Sequence, residues 1–223
     1  MGKFTELTAA DGHKFAAYVS QPSGKPRGGV VVIPEIFGVN SHIQQVTDGF
    51  AADGYLAVSP AMFDRVQRNY DTGYSQPEIQ AGVAVMQKLD PKNSMADVQA
   101  AIAEASKGGK VGIVGYCFGG TIAWMAAARA SGLACSVPYY GGGMHGLINE
   151  KPKVPVMCNF GETDHSPTLE QAKEIAAKHP QITAHFYAGA GHGFNCDQRG
   201  SWNAEAAKLA RSRTVEFFRK HLG

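Results

Sequence analysis

Continuous apolar runs alternate along the chain with stretches in which apolar positions recur every three or four residues, and the two periods predict different elements. Residues 3 to 20 read as a hairpin, two strands of mixed polarity around the turn "ADGHK". "RGGVVVIPEIFG" is continuous in Val and Ile, as in a strand buried on both faces. Ile43, Val46 and Phe50 follow at helical spacing, giving a helix that ends before Gly54, and "YLAVSP" is a second buried strand. An irregular stretch from about 61 to 75 precedes a helix with an apolar face of Ile79, Val83 and Met86. A further helix carries Met95, Val98 and Ile102, with Ser94 and Asp97 reading as its capping signal. "KVGIVGYC" is the next strand and runs into a helix containing Trp124; "ACSVPYY" and "VPVMCNFG" are strands separated by a glycine-rich loop. Thr168 and Gln171 form a capping-box pattern for a helix through about Lys178, "ITAHFYAGA" is a last strand, and residues 201 to 221 a last helix.

Strands alternating with helices of this length imply an α/β class with a mostly parallel central sheet, helices on both faces and a single domain over residues 1–223. In such sheets ligands bind beyond the carboxyl ends of the strands. Glu35, Cys117, Asp164 and His192 all stand directly after predicted strands, which makes them the first candidates for chemistry.

Composition narrows the partners. The 223 residues carry a formal net charge of only +2, with Lys and Arg scattered, so neither nucleic acid nor an anionic membrane surface is an expected partner. The first residues lack the apolar core of a signal peptide, and no apolar run reaches the roughly 18 residues of a membrane helix; the expected location is cytoplasmic. Cys117, Cys135, Cys158 and Cys196 show no CxxC pair and read as reduced thiols. No ligand pair among the cysteines and histidines has zinc spacing, so no metal is expected, and oligomeric state leaves no signature.

The sharpest motif is "GYCFG", residues 115 to 119, with cysteine between glycines where a strand meets a helix. Such a turn strains the backbone of its central residue and needs small neighbours two positions away. It also aims the first N–H groups of the helix at the sulfur, where they favour a thiolate and then an oxyanion. The motif lacks the lysine of a phosphate-binding loop and the glycine spacing of a dinucleotide fingerprint. Cys135 and Cys158 lie inside strands and read as core. His192, in "AGAGHGFN", is the candidate base, and Asp164, in "GETDHSP", the acid that orients it; Glu162 is the rival acid. The order nucleophile, acid, histidine is that of an α/β-hydrolase. Glu35 is the one charge within "VVVIPEIFGV" and is expected at the site, leaving the amides of Ile36 and Phe118 as an oxyanion hole. Trp124, Tyr139 and Tyr140 are aromatic candidates for the acyl pocket, with core packing the favoured role of Trp124.

On "VVVIPEIFGVN", "GIVGYCFGG", "GETDHSP" and "YAGAGHGFN" together, the chain resembles the dienelactone hydrolase family of the α/β-hydrolase superfamily over nearly its whole length. The resemblance implies a Cys117–Asp164–His192 triad, a glutamate at Glu35 that holds the resting thiol, an acyl-enzyme intermediate, and hydrolysis of a small-molecule ester or lactone without a cofactor. Members that open dienelactone hold its carboxylate with arginines, one of them four residues after the histidine; here that position is Cys196, and the first arginine beyond His192 is Arg199. The candidates to replace the missing arginine are Arg65, foremost, and Arg68, in the irregular stretch, where a solvated loop face is the favoured reading of both. The competing reading is a non-enzymatic thiol-sensing or small-molecule-binding protein on the same fold.

Overall fold

The computed structural model describes all 223 residues. β1 (Lys3–Thr8) and β2 (Lys14–Ser20) make the antiparallel hairpin, and β3 (Gly29–Ile33), β4 (Leu56–Pro60), β5 (Val111–Tyr116), β6 (Leu133–Tyr139), β7 (Met157–Gly161) and β8 (Thr183–Tyr187) run parallel to one another. All belong to one eight-stranded sheet in the order β1-β2-β4-β3-β5-β6-β7-β8. The connecting helices are α1 (Ser41–Ala52), α2 (Gln76–Met86), α3 (Pro91–Ala105), α4 (Phe118–Arg129), α5 (Leu169–Lys178) and α6 (Ala204–Leu222). None is long and apolar enough to cross a membrane.

Alternation along β3 divides the core. Val30 and Val32 face α1 and α6, packing with Ile43, Phe50 and Phe218, while Val31 and Ile33 face α3 and α4, packing with Val98, Ile102 and Ile122. With helices on both sides the strand has no solvent face, which explains its unbroken Val/Ile run. Burial of each such side chain contributes on the order of 1.5–3 kcal/mol. A third cluster, built on Trp124, Phe160 and Ile175, closes the layer beneath α5.

Two helix starts differ from the sequence expectation. α3 begins at Pro91 and not after Ser94: Asp90 is the N-cap and accepts from the Lys92 amide at 2.7 Å. A proline at the first helical position loses no hydrogen bond, and the caps Ser94 and Asp97 become buried residues inside the helix. α6 begins at Ala204, capped by Asn203, which accepts from Ala206 N at 3.0 Å. Thr168 and Gln171 do make the reciprocal capping box that opens α5.

Candidate active site

Because β3, β5, β7 and β8 are parallel, their exits lie along one rim, and the residues that follow them are Glu35, Cys117, Asp164 and His192. Cys117 caps α4 with φ 56° and ψ −115°, a conformation that costs on the order of 1–3 kcal/mol and persists only when its surroundings enforce it. They do so from both sides: its N–H donates to Tyr139 O at 3.1 Å, and its carbonyl accepts from Thr121 N at 3.2 Å. Close backbone approach explains the flanking glycines. A Cβ on Gly115 would stand 1.9 Å from Gly119 O, and one on Gly119 only 2.3 Å from Ile33 O. The start of α4 is thereby seated against the chain leaving β3. Ile36 and Phe118 line one cavity with Cys117, and neither of their N–H groups donates to a protein acceptor.

His192 turns Nδ1 toward Asp164, 3.2 Å from Oδ1 and 3.1 Å from Oδ2. The Asp164 side chain is 1% exposed and also accepts from Ser166 N at 2.8 Å, so the carboxylate is held while it holds the ring. With Nδ1 committed, Nε2 is the nitrogen left to serve Cys117, which lines the same cavity as the imidazole. Burial alone would lower the pKa of His192. The charge interaction with Cys117 and the hydrogen bond to Asp164 outweigh it and raise the pKa to about 10. The rival acid, Glu162, is exposed.

Glu35 is 1% exposed and sits beside a residue that the sequence expectation passed over. Arg199 Nη1 donates to Glu35 Oε1 at 2.7 Å, across 164 positions of sequence. The guanidinium lies 5.5 Å from the centre of the Phe37 ring and 5.9 Å from that of Tyr74, so aromatic faces hold it as well. Gly193, at φ 77°, leaves room for it: a Cβ there would fall 2.4 Å from Arg199 Nη1. Glu35 Oε2 has no partner. The signal that pointed to Arg199 was the buried charge of Glu35 itself, which needs a cation wherever the chain can bring one.

Arg65, Tyr139 and Trp124 do not line the cavity. Arg65 is turned away and bound bidentately by Asp97 at 2.8 Å, with Asp11 at 2.9 Å. Arg68 donates to Lys14 O at 2.7 Å. Tyr139 is wholly buried with its hydroxyl 2.5 Å from Thr214 Oγ1, and Trp124 is wholly buried, its indole N–H donating to Leu147 O at 3.2 Å. Tyr140 is also buried but touches the site from below, its ring edge-on to His192 at 5.3 Å. A separate grouping spans distant sequence: ligand-type atoms of His42, Cys196 and Asp197 lie within 4.8 Å of one another. There His42 Nδ1 meets Asp197 at 3.2 Å, and burial pushes the Cys196 thiol up to about 11. This clamps the chain just before Arg199 to α1.

The cavity above the thiol measures about 560 Å³ and is walled by Ile36, Phe37, Phe118 and the α2 residues Ile79, Val83 and Met86, with Arg199 and His192 also lining it.

Parallel strands feeding these turns, with Cys117, Asp164 and His192 in that order, make the fold an α/β-hydrolase. Within that class the chain belongs to the dienelactone hydrolase family, whose model matches residues 15–222. It is similar to the carboxymethylenebutenolidase of Pseudomonas putida, 34% identical over 222 residues that cover 95% of this chain and 93% of that one. Carboxymethylenebutenolidase 1 of Cupriavidus pinatubonensis is 30% identical over 223 residues, covering 95% and 94%. A solved dienelactone hydrolase-like promiscuous phosphotriesterase from metagenomic libraries superposes with a TM-score of 0.80 at 20% identity, over 100% of this chain and 99% of that one, a likeness of fold. The chain is thus a hydrolase of the class that acts on esters and lactones.

Proposed function

We propose that the chain hydrolyses small esters or lactones through an acyl-enzyme on Cys117. The Cys117 sulfur attacks the carbonyl carbon, and the oxygen's developing charge is taken up by the amides of Ile36 and Phe118. Collapse of the tetrahedral adduct breaks the carbon–oxygen bond to the alcohol, to which His192 gives its Nε2 proton. His192, now neutral, then takes a proton from water as the hydroxide adds to the thioester, and the acid leaves with regeneration of the thiolate. Asp164 keeps the ring oriented and favours its charged form throughout. Glu35, whose Oε2 has no partner, is the acceptor for the Cys117 thiol before the thiol's proton passes to His192 and the sulfur attacks.

The observation that carries this reading is an imidazole held by a buried carboxylate and lining one open cavity with Cys117 at its strained strand–helix turn. Rapid mixing with p-nitrophenyl acetate tests it. A burst of about one nitrophenolate per chain is expected, with the acetyl group recovered by mass spectrometry on the peptide bearing Cys117. Turnover with no acyl group ever found on that peptide would remove the thiol from the reaction, and no turnover of any ester would leave the thiol-sensing alternative.

The raised pKa of His192 sets a pH dependence. A free imidazole loses its proton near 6.5, whereas this ring keeps it to about 10. For an alkyl ester, whose poor leaving group needs that proton, kcat/KM is expected to hold through neutral pH and fall only as pH rises toward 10. A pH-stat titration of rate measures it. In Asp164→Asn the loss of one charge beside the ring brings the alkaline fall to lower pH.

A further inference from the structure

The helix stripe Ile79, Val83, Met86 is of the kind that core normally covers, yet all three residues are only half-buried, and their uncovered side faces the cavity over Cys117. Helix α2 is held there by close backbone approach, for a Cβ on Gly82 would lie 2.6 Å from Ile36 O. The wall is therefore fixed to the same loop that offers the Ile36 amide.

Sheet order decides which arm of an ester meets this wall. β5 lies between β3 and β6, so the sulfur has Ile36, Phe37 and α2 on its β3 flank and Gly142, Ser166 and His192 on the flank of β6, β7 and β8. The leaving oxygen must face His192 to receive its proton. The acyl carbon chain then extends the opposite way, along Ile79, Val83 and Met86.

Charge decides what that chain can carry. The ionisable cations that line the cavity are Arg199, His192 and His165. Arg199 is held by Glu35 at 2.7 Å and His192 by Asp164 at 3.1 Å, while the His165 side chain stands at the rim, 84% exposed. A carboxylate drawn to Arg199 would have to share a guanidinium whose charge the buried Glu35 already balances at 2.7 Å. Arg65 and Arg68 are engaged elsewhere.

We infer that the substrates are uncharged esters with an unbranched apolar acyl arm lying on α2. The inference rests on the acyl-enzyme reading above and adds the identity of the acyl group. Each methylene buried on the wall is worth about 0.8 kcal/mol, or about fourfold in kcal-equivalent rate, so kcat/KM should climb from acetate to hexanoate by tenfold or more.

The test compares p-nitrophenyl acetate, hexanoate and the carboxylate-ended mono-glutarate on the whole chain. Hexanoate is expected to exceed acetate by at least tenfold and glutarate by at least as much. In Val83→Trp, which fills the wall, the hexanoate-to-acetate ratio should fall at least tenfold; Val83→Ser, a smaller change that keeps the helix, should lower the same ratio severalfold. Acetate turnover with a burst but a flat or falling chain-length series, glutarate preferred over hexanoate, or an unmoved ratio in both variants would overturn this inference and leave the acyl-enzyme intact. No burst with any of the three esters would instead remove the reading on which it rests.

Discussion

Replacing Cys117 by alanine is expected to lower kcat/KM for any turned-over ester by about 10⁴- to 10⁶-fold, because both half-reactions run through the covalent bond that its sulfur makes. What remains is binding and the two amides, which accelerate attack by water only weakly. The fold should barely notice. Alanine at φ 56° keeps the strain that cysteine bears, the backbone bonds to Tyr139 and Thr121 do not involve the sulfur, and the side chain is only half-buried. The measurement is steady-state turnover beside thermal unfolding of the same sample. A midpoint near that of wild type with turnover gone is the expected pair of results. Residual turnover above about one hundredth of wild type would assign the attack to another group. His192→Ala should lose about 10²- to 10⁴-fold, since it removes the proton transfer but leaves a sulfur in place.

The route from sequence to site was direct where local rules decide the outcome. The strand–turn–helix at Cys117 was legible because the turn's sterics demand Gly115 and Gly119 at fixed offsets, and the backbone contacts in the structure are those demands. Asp164 and His192 were legible because parallel strands must deliver their exits to one rim. Chain order does not separate Asp164 from Glu162, which both lie between Cys117 and His192; the structure separates them by burial.

Other residues were misjudged because sequence separation hides what a side chain meets. Arg65 lies in an irregular loop, where a cation reads as free; its partner, Asp97, was itself read as a helix cap and is instead a buried carboxylate of α3. Tyr139 precedes the rim but points into the layer under α6, because side chains alternate along β6, whereas Trp124 takes the core place favoured for it, in the layer beneath α5. Periodicity placed Ile79, Val83 and Met86 on one helix face correctly. It carries no information on whether protein or ligand covers that face. Arg199 was out of reach of any local pattern, since its place is set by Glu35, Phe37 and Tyr74, all far away in the chain.

That pair of charges is the second place where a single substitution should have a large effect. Arg199→Met leaves Glu35, 1% exposed, with neither oxygen partnered, and removing one member of a buried pair costs on the order of 3–5 kcal/mol. Arg199 is itself 15% exposed at its side chain, which places the loss toward the lower end of that range, about 3 kcal/mol. In a chain of this length that corresponds to a fall of roughly 6–12 °C in Tm. Methionine retains the apolar packing on Phe37 and Tyr74, so the loss reports the charge and not a void. The double variant Glu35→Gln with Arg199→Met removes both charges, and it should recover at least half of the lost stability, since a neutral amide is far cheaper to bury than a carboxylate without a partner. Calorimetry on the two single variants and the double variant closes the cycle. Equal Tm in wild type and Arg199→Met would mean that water or a rearranged loop serves Glu35 as well as the guanidinium does, and the buried pair would then hold the Gly193–Arg199 loop in place without stabilising the fold.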